Sequence, residues 1–199
     1  MKRAIALLLL LTLLGSPAFA YRILYKEQFY RLYRQNFYQY PERIAENIYW
    51  LEQALQADFA NPLFALARIE DEAHWERYRS LFMMHVNLKI VELYLAWGTK
   101  YNKFTAYFFN YPWQRQNLES LEIAESLFNT ALYYWDEALD WSGRAWELRR
   151  LHLPQIQHWE DQNHRIETGT LDYEAIIGRH LQRLDEVRRT FRDMDDTTY

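Results

Sequence analysis

The sequence predicts an all-α protein, built as a stack of helical hairpins or as an irregular helix bundle. Three observations carry that prediction. Apolar and aromatic side chains recur at helical spacing through most of the chain. No run alternates with a period of two between turn residues, so strand signals are missing. Glycine and proline are scarce, at five each, which favours few and long elements.

The N-terminus reads differently from the rest. Met1-Lys2-Arg3 is followed by an apolar run from Ala4 to Leu14 and by Gly15-Ser16-Pro17-Ala18-Phe19-Ala20. A basic start, a short greasy stretch and an A-x-A end form the pattern of a secretory signal peptide. The run is too short to stay in a bilayer as a spanning helix. Residues 1–20 are therefore expected to be removed after Ala20, leaving a periplasmic or secreted chain.

Each later element is justified by its spacing. Tyr25 to Tyr38 places Tyr25, Phe29, Leu32 and Tyr33 on one helix face. Pro41 suits a helix start, and Glu42 to Ala57 carries Ile44, Ile48, Leu51 and Leu55 as a stripe. Asn61-Pro62 ends that unit and predicts a short helix from Leu63 to Ile69. A long helix from Asp71 to Lys100 follows, with Trp75, Tyr78, Leu81, Phe82, Leu88, Val91 and Leu95 facing inward and Gly98 weakening its last turn. Phe108 to Gln116 reads as a loop around Pro112.

The helix from Leu118 to Arg149 has the plainest signature. Alanines fall at 124, 131, 138 and 145, with Phe128 and Trp135 on one side and Leu132, Leu139 and Trp146 on the other. Such a column lets a partner helix approach closely. Gly143 is a possible interruption. His152 to Thr170, broken by Pro154, reads as a polar connection that could hold one short helix. Leu171 to Arg192 predicts a last helix burying Ile176, Ile177, Leu181, Leu184 and Val187. One domain over 21–192 and a flexible acidic tail over 193–199 complete the layout.

Composition excludes several functions. The chain has 23 Lys+Arg and 27 Asp+Glu, a net charge of −4. Removing Lys2 and Arg3 with the signal leaves 21 against 27, or −6. That balance argues against a nucleic-acid binder, which needs clustered cations for phosphate contacts. With no cysteine, a lipid-bearing thiol, thiol catalysis, an iron–sulfur cluster and a thiolate metal site are excluded.

Two segments resemble the tetratricopeptide repeat, a helix–turn–helix unit. Tyr94-x-x-Trp97-Gly98-x-x-Tyr101 resembles its first helix, where a glycine lets the two helices touch. Ala131-x-x-x-Trp135-x-x-Ala138-Leu139 resembles its second helix, and Leu51-x-x-Ala54-Leu55 before Asn61-Pro62 is similar to the end of a repeat. The resemblance implies a degenerate hairpin stack and, with it, protein–protein interaction. Gly98 and Ala131 lie 33 residues apart with the Pro112 loop between them, so an irregular bundle stays open.

Candidate chemistry is sparse. Asp71/His74 and Asp161/His164 are two Asp-x-x-His pairs, and bundle di-metal sites draw a carboxylate-x-x-His pair from each of two helices. Glu46 and Glu125 could complete such a set, although the usual carboxylate is the longer Glu. His152, His158 and His164 recur every six residues, which on a helix puts neighbours about 120° apart. No G-x-S-x-G, P-loop or H-E-x-x-H is present. No cofactor and no metal are expected.

Aromatic content, 18%, is the more informative feature. Five bulky residues crowd the Pro112 loop: Phe108, Phe109, Tyr111, Pro112 and Trp113. They either plug the end of the bundle or anchor a partner, since Trp and Tyr dominate interface hot spots. Phe109, Tyr111 and Trp113 are the candidate partner-binding residues. The tyrosine-rich stretch Tyr21 to Tyr40 either docks on the core or awaits a partner. The expected function is a non-catalytic periplasmic scaffold or adaptor for another envelope protein, in a setting such as a flagella-associated or transporter-accessory assembly. The alternatives are a small-ligand binding protein with an aromatic-lined pocket and a carboxylate/His metal-dependent enzyme.

Overall fold

Heptad spacing of small residues sets the architecture. The computed structural model describes residues 23–103 and 108–198; the signal-peptide expectation lies outside them. Among the described residues six α-helices follow in order: α1 Lys26–Gln39, α2 Ile44–Gln56, α3 Glu72–Tyr101, α4 Gln114–Glu147, α5 Gln157–Glu167 and α6 Tyr173–Arg192. Among the described residues there is no strand, only an isolated bridge between Tyr25 and Asp58. The all-α expectation holds.

The buried positions of α4 are Asn117, Leu121, Ala124, Phe128, Ala131, Trp135, Ala138, Ser142 and Ala145. They alternate steps of four and three, a 3.5-residue repeat that keeps one seam facing its partners. One column of that seam is small and the other mostly large. The main partner is α3, in the most extensive contact of the molecule. Arg77 reaches Ala145, Tyr94 stacks on Tyr134 and Gly98 lies against Phe128, so the two helices run antiparallel. A Cβ on Gly98 would stand 2.5 Å from the Phe128 ring. The glycine is therefore what permits this approach.

On the other side of the seam, α6 runs antiparallel to α4, with Tyr173 against Trp135 and His180 against Phe128. Because α1, α2, α4 and α5 surround it, α3 is buried on nearly every side from Arg77 to Val91. That pattern marks a central helix.

Helix ends follow local chemistry. Asp71 and Asp172 cap α3 and α6 by accepting from the His74 and Ala175 amides. Gly169, at φ 71°, ends α5 in the left-handed region that glycine tolerates best, with the Thr170 amide bonded back to Arg165 and the Gly169 amide to Ile166.

Several boundaries differ from expectation. The helix expected over Leu63–Ile69 is only a 3₁₀ turn, Pro62–Phe64, closed by the Asn61 side chain. Leu63 is 88% exposed and Phe64 68%, so no buried face rewards a longer helix. A second 3₁₀ turn, Tyr111–Trp113, feeds directly into α4, which starts at Gln114 rather than Leu118. Gly143 does not interrupt α4, since the helix continues to Glu147.

The segment expected as a polar connection with room for one short helix does hold one, α5, preceded by a turn at Pro154–Ile156. Ile156, Trp159, Asn163 and Ile166 are buried there at steps of three, four and three, a helical stripe hidden among polar letters. Tyr25 precedes α1 and is exposed, while Tyr30 takes the inward place on α1. Past α6, Met194 is buried, and Gln114 Nε2 donates to the Phe191 and Met194 carbonyls at 2.6 and 3.2 Å.

Buried charges join the elements. Lys26 Nζ donates to the Ala54 carbonyl in the last turn of α2 at 3.1 Å, where a cation suits the helix end. Its neighbour Glu27, 1% exposed, accepts from the Ala60 amide and the Tyr78 hydroxyl. Arg77, 3% exposed, donates to Glu160 at 2.9 Å and to the Ala145 carbonyl at 3.1 Å. One guanidinium thus ties α3 to the last turn of α4 and to α5.

Candidate functional site

The site begins with a side chain that apolar patterning conceals. His85 lies in the middle of α3 and is 1% exposed. Gln162 of α5 offers its carbonyl oxygen to Nδ1 at 2.6 Å, so Nδ1 carries the ring proton. Nε2 then accepts from the Tyr30 hydroxyl of α1 at 2.8 Å. Both ring nitrogens are satisfied inside the protein. The ring stacks on Trp159 at 4.9 Å and meets His158 edge-on at 5.4 Å. Burial holds the His85 pKa down to about 3, against the opposing pull of the Gln162 hydrogen bond. Burial also pushes the Tyr30 hydroxyl up to about 12. His85 is thus neutral, and Tyr30 protonated, at ordinary pH.

Above this floor a groove of about 900 Å³ opens between α1, α3 and α5. Drug-sized ligands occupy clefts of roughly 300–1,000 Å³. Tyr33, Phe37, Tyr38 and Pro41 form its apolar wall, and Phe37 packs on Tyr33 at 5.6 Å. Arg31, Arg34, Lys89 and Glu92 stand at its polar edge. Lys89 pairs with Glu92 at 2.7 Å. His158, beside the groove, is held below its ordinary pKa, first by burial and then by Lys89 and Arg34.

The sequence-derived candidates lie elsewhere. Tyr111 and Trp113 sit in the turn that starts α4 and Phe109 lies just before it, and none of the three lines the groove. Phe109 packs on Phe191 at 4.4 Å and Trp113 stacks on Phe108 at 4.6 Å. The Tyr111 amide donates to the Thr198 carbonyl at 3.3 Å, and Asn117 donates to the Phe108 carbonyl at 2.8 Å. The turn is folded back on the end of the bundle, yet the three side chains stay 38%, 42% and 42% exposed.

The two Asp-x-x-His pairs are not brought together. Asp71 caps α3 and also bonds the His74 ring at 2.8 Å. Asp161 and His164 are on α5, where His164 meets Trp146. Glu46 pairs with Arg43, and Glu125 with Arg188 at 2.5 Å. The three histidines of the six-residue series do not converge on one point: His152, paired with Glu160, and His164, against Trp146, line one recess, whereas His158 faces His85. Among the described residues no group of three or more His, Asp or Glu could hold a metal ion.

The groove escaped sequence reading because its parts come from three separate segments. One signal was available: Tyr30, Tyr33, Arg34 and Phe37 share a helical face. His85 offered none, since a histidine inside a long apolar run reads as ordinary core.

Fold and groove together define an all-helical protein with an open aromatic and basic recess. The chain belongs to the family described as Domain of unknown function (DUF8513), which matches residues 73–194. That span runs from the first turn of α3 to Met194, so it includes His85, Lys89, His158 and Gln162, while Tyr30, Arg31 and Arg34 on α1 precede it. No curated protein and no solved structure matches the chain.

Proposed function

We propose that the chain is a non-catalytic binding protein of the extracytoplasmic space, and that the groove between α1, α3 and α5 holds a small ligand. The observation that carries this reading is the recess of about 900 Å³ over a floor whose polar atoms on His85 bond to Tyr30 and Gln162. A floor whose histidine is locked neutral suits recognition better than proton transfer, which needs a nitrogen free to exchange its proton. The leader pattern at residues 1–20 supports export. Ligand-observed NMR with a library of small aromatic compounds tests the groove: hits should weaken in Phe37→Ala. A library without hits, or hits indifferent to that change, would remove the groove as the site. N-terminal sequencing of the processed protein should begin at Tyr21, and an intact Met1 would defeat the export reading.

A second reading keeps the adaptor role, with Phe109, Tyr111 and Trp113 as its contact. It is favoured by three large side chains held in place by backbone hydrogen bonds yet left partly exposed. The α3–α4 hairpin, with its glycine approach, supports a tetratricopeptide-like relationship as part of that reading. Pull-down from envelope extract with Trp113→Ala checks it, because an unchanged set of partners would take the turn out of the proposal.

A further inference from the structure

Arg31 and Arg34 lie one turn apart on α1, and both border the groove. Among the described residues neither forms an ion pair, whereas Arg77, Arg79 and Arg188 all do. Lys89 adds a third cation, partly neutralised by Glu92. The chain as a whole is acidic, at −4, so this recess carries the opposite sign to the molecule. The field is felt inside the groove, where Lys89 and Arg34 both act to disfavour the charged forms of His85 and His158. Next to these cations stands the apolar wall of Tyr33 and Phe37.

We infer that the groove takes a small aromatic carboxylate, its ring laid on the Tyr33–Phe37 wall and its carboxylate bound by Arg31 and Arg34. The inference rests on the groove being the binding site. Arginine forks match a carboxylate in geometry and give stronger hydrogen bonds than neutral donors. Glu92 on the same edge repels a second negative charge, which favours a monoanion over a dianion. A guanidinium is more weakly hydrated than an ammonium, and here the two gain an ion-pair partner that none of the described residues supplies.

Calorimetric titration of the processed protein with phenylacetate and with its neutral amide, phenylacetamide, tests this. Arg31 and Arg34 are exposed on α1, so the double change Arg31→Gln/Arg34→Gln leaves the core untouched. The acid is expected to bind about tenfold more tightly than the amide, a difference of the size charge-assisted hydrogen bonds supply. The double variant should erase that preference, while Phe37→Ala should weaken acid and amide alike. Equal binding of acid and amide, with both weakened by Phe37→Ala, overturns the carboxylate inference and leaves the groove standing. A preference for the acid that survives the double change also overturns it, because the anion then binds elsewhere. Failure of both probes at millimolar concentration overturns the groove reading and the carboxylate with it.

Discussion

The contact between α3 and α4 and the contact between α1 and α3 use side chains of opposite size. Along α4, alanines at 124, 131, 138 and 145 are fully buried and bring two backbones together, with Gly98 giving way to Phe128. Across from α1, α3 is met by long rings instead: Tyr30 touches Phe82 at 5.6 Å and His85 through its hydroxyl. Small residues close a helix interface, and large ones hold it apart. The closed interface makes the scaffold. The propped one leaves a recess, and polar groups collect at its floor and rim.

The largest expected effect breaks the closed side. Arg77→Ala removes the cation that joins α3, the end of α4 and α5, and leaves Glu160 and the Ala145 carbonyl without it. A buried pair broken in this way costs about 3–5 kcal/mol, read as a lower midpoint in denaturant unfolding. A loss below about 1 kcal/mol would mean that water replaces the guanidinium, and that the joint is weaker than its geometry implies.

Acid should act next, on the propped side. The folded state holds His85 neutral with a pKa of about 3, while the unfolded chain has the ordinary 6.5. Below pH 6.5 the unfolded chain takes up a proton that the folded state refuses. Stability from this group is therefore complete above pH 6.5 and falls as pH drops towards about 3, with a slope approaching about 1.4 kcal/mol per pH unit. Between pH 7 and 5 the loss is about 1.5–2 kcal/mol. The burial-lowered His158 and His180 act in the same direction. Thermal unfolding across that range checks the sign, and His85→Gln should flatten the slope. A profile unchanged by His85→Gln would show that the ring titrates as freely in the fold as outside it.

Two glycines sharpen the comparison with smaller effects. Gly98→Ala places a methyl group into the buried Phe128 ring, and overpacking costs about 1–3 kcal/mol against about 1 kcal/mol gained in helix propensity. The net expectation is a loss of about 1 kcal/mol. Gly143→Ala, on the same pair of helices but with nothing within 4 Å of the new carbon, should gain about 0.5–1 kcal/mol. Equal effects at the two positions would mean that the α3–α4 approach is looser than the packing requires.

Much of the fold was legible in sequence. The heptad alanines of α4, the run of α3 and the apolar stripe of α6 each state their own period, although α4 starts four residues before the expected Leu118. The α5 stripe was harder, because only Ile156, Trp159 and Ile166 mark it among histidines, glutamines and acids. The short helix expected after Pro62 failed because local propensity had no buried surface to complete it. The candidate site was mostly illegible. Phe109, Tyr111 and Trp113 stood out as a cluster in the chain, whereas the groove residues are scattered over α1, α3 and α5 and meet only in space.

By itself the sequence determined that this protein is helical, which faces of α3 and α4 are buried, and that thiol chemistry is closed to it, because periodicity and composition act locally and need no partner. Only the tertiary structure decided that Tyr30, His85 and Gln162 bond together, that Arg31 and Arg34 share a recess with Lys89, and that the two Asp-x-x-His pairs stay apart. Those outcomes depend on how far one helix stands from another, and that distance is set by the side chains between them.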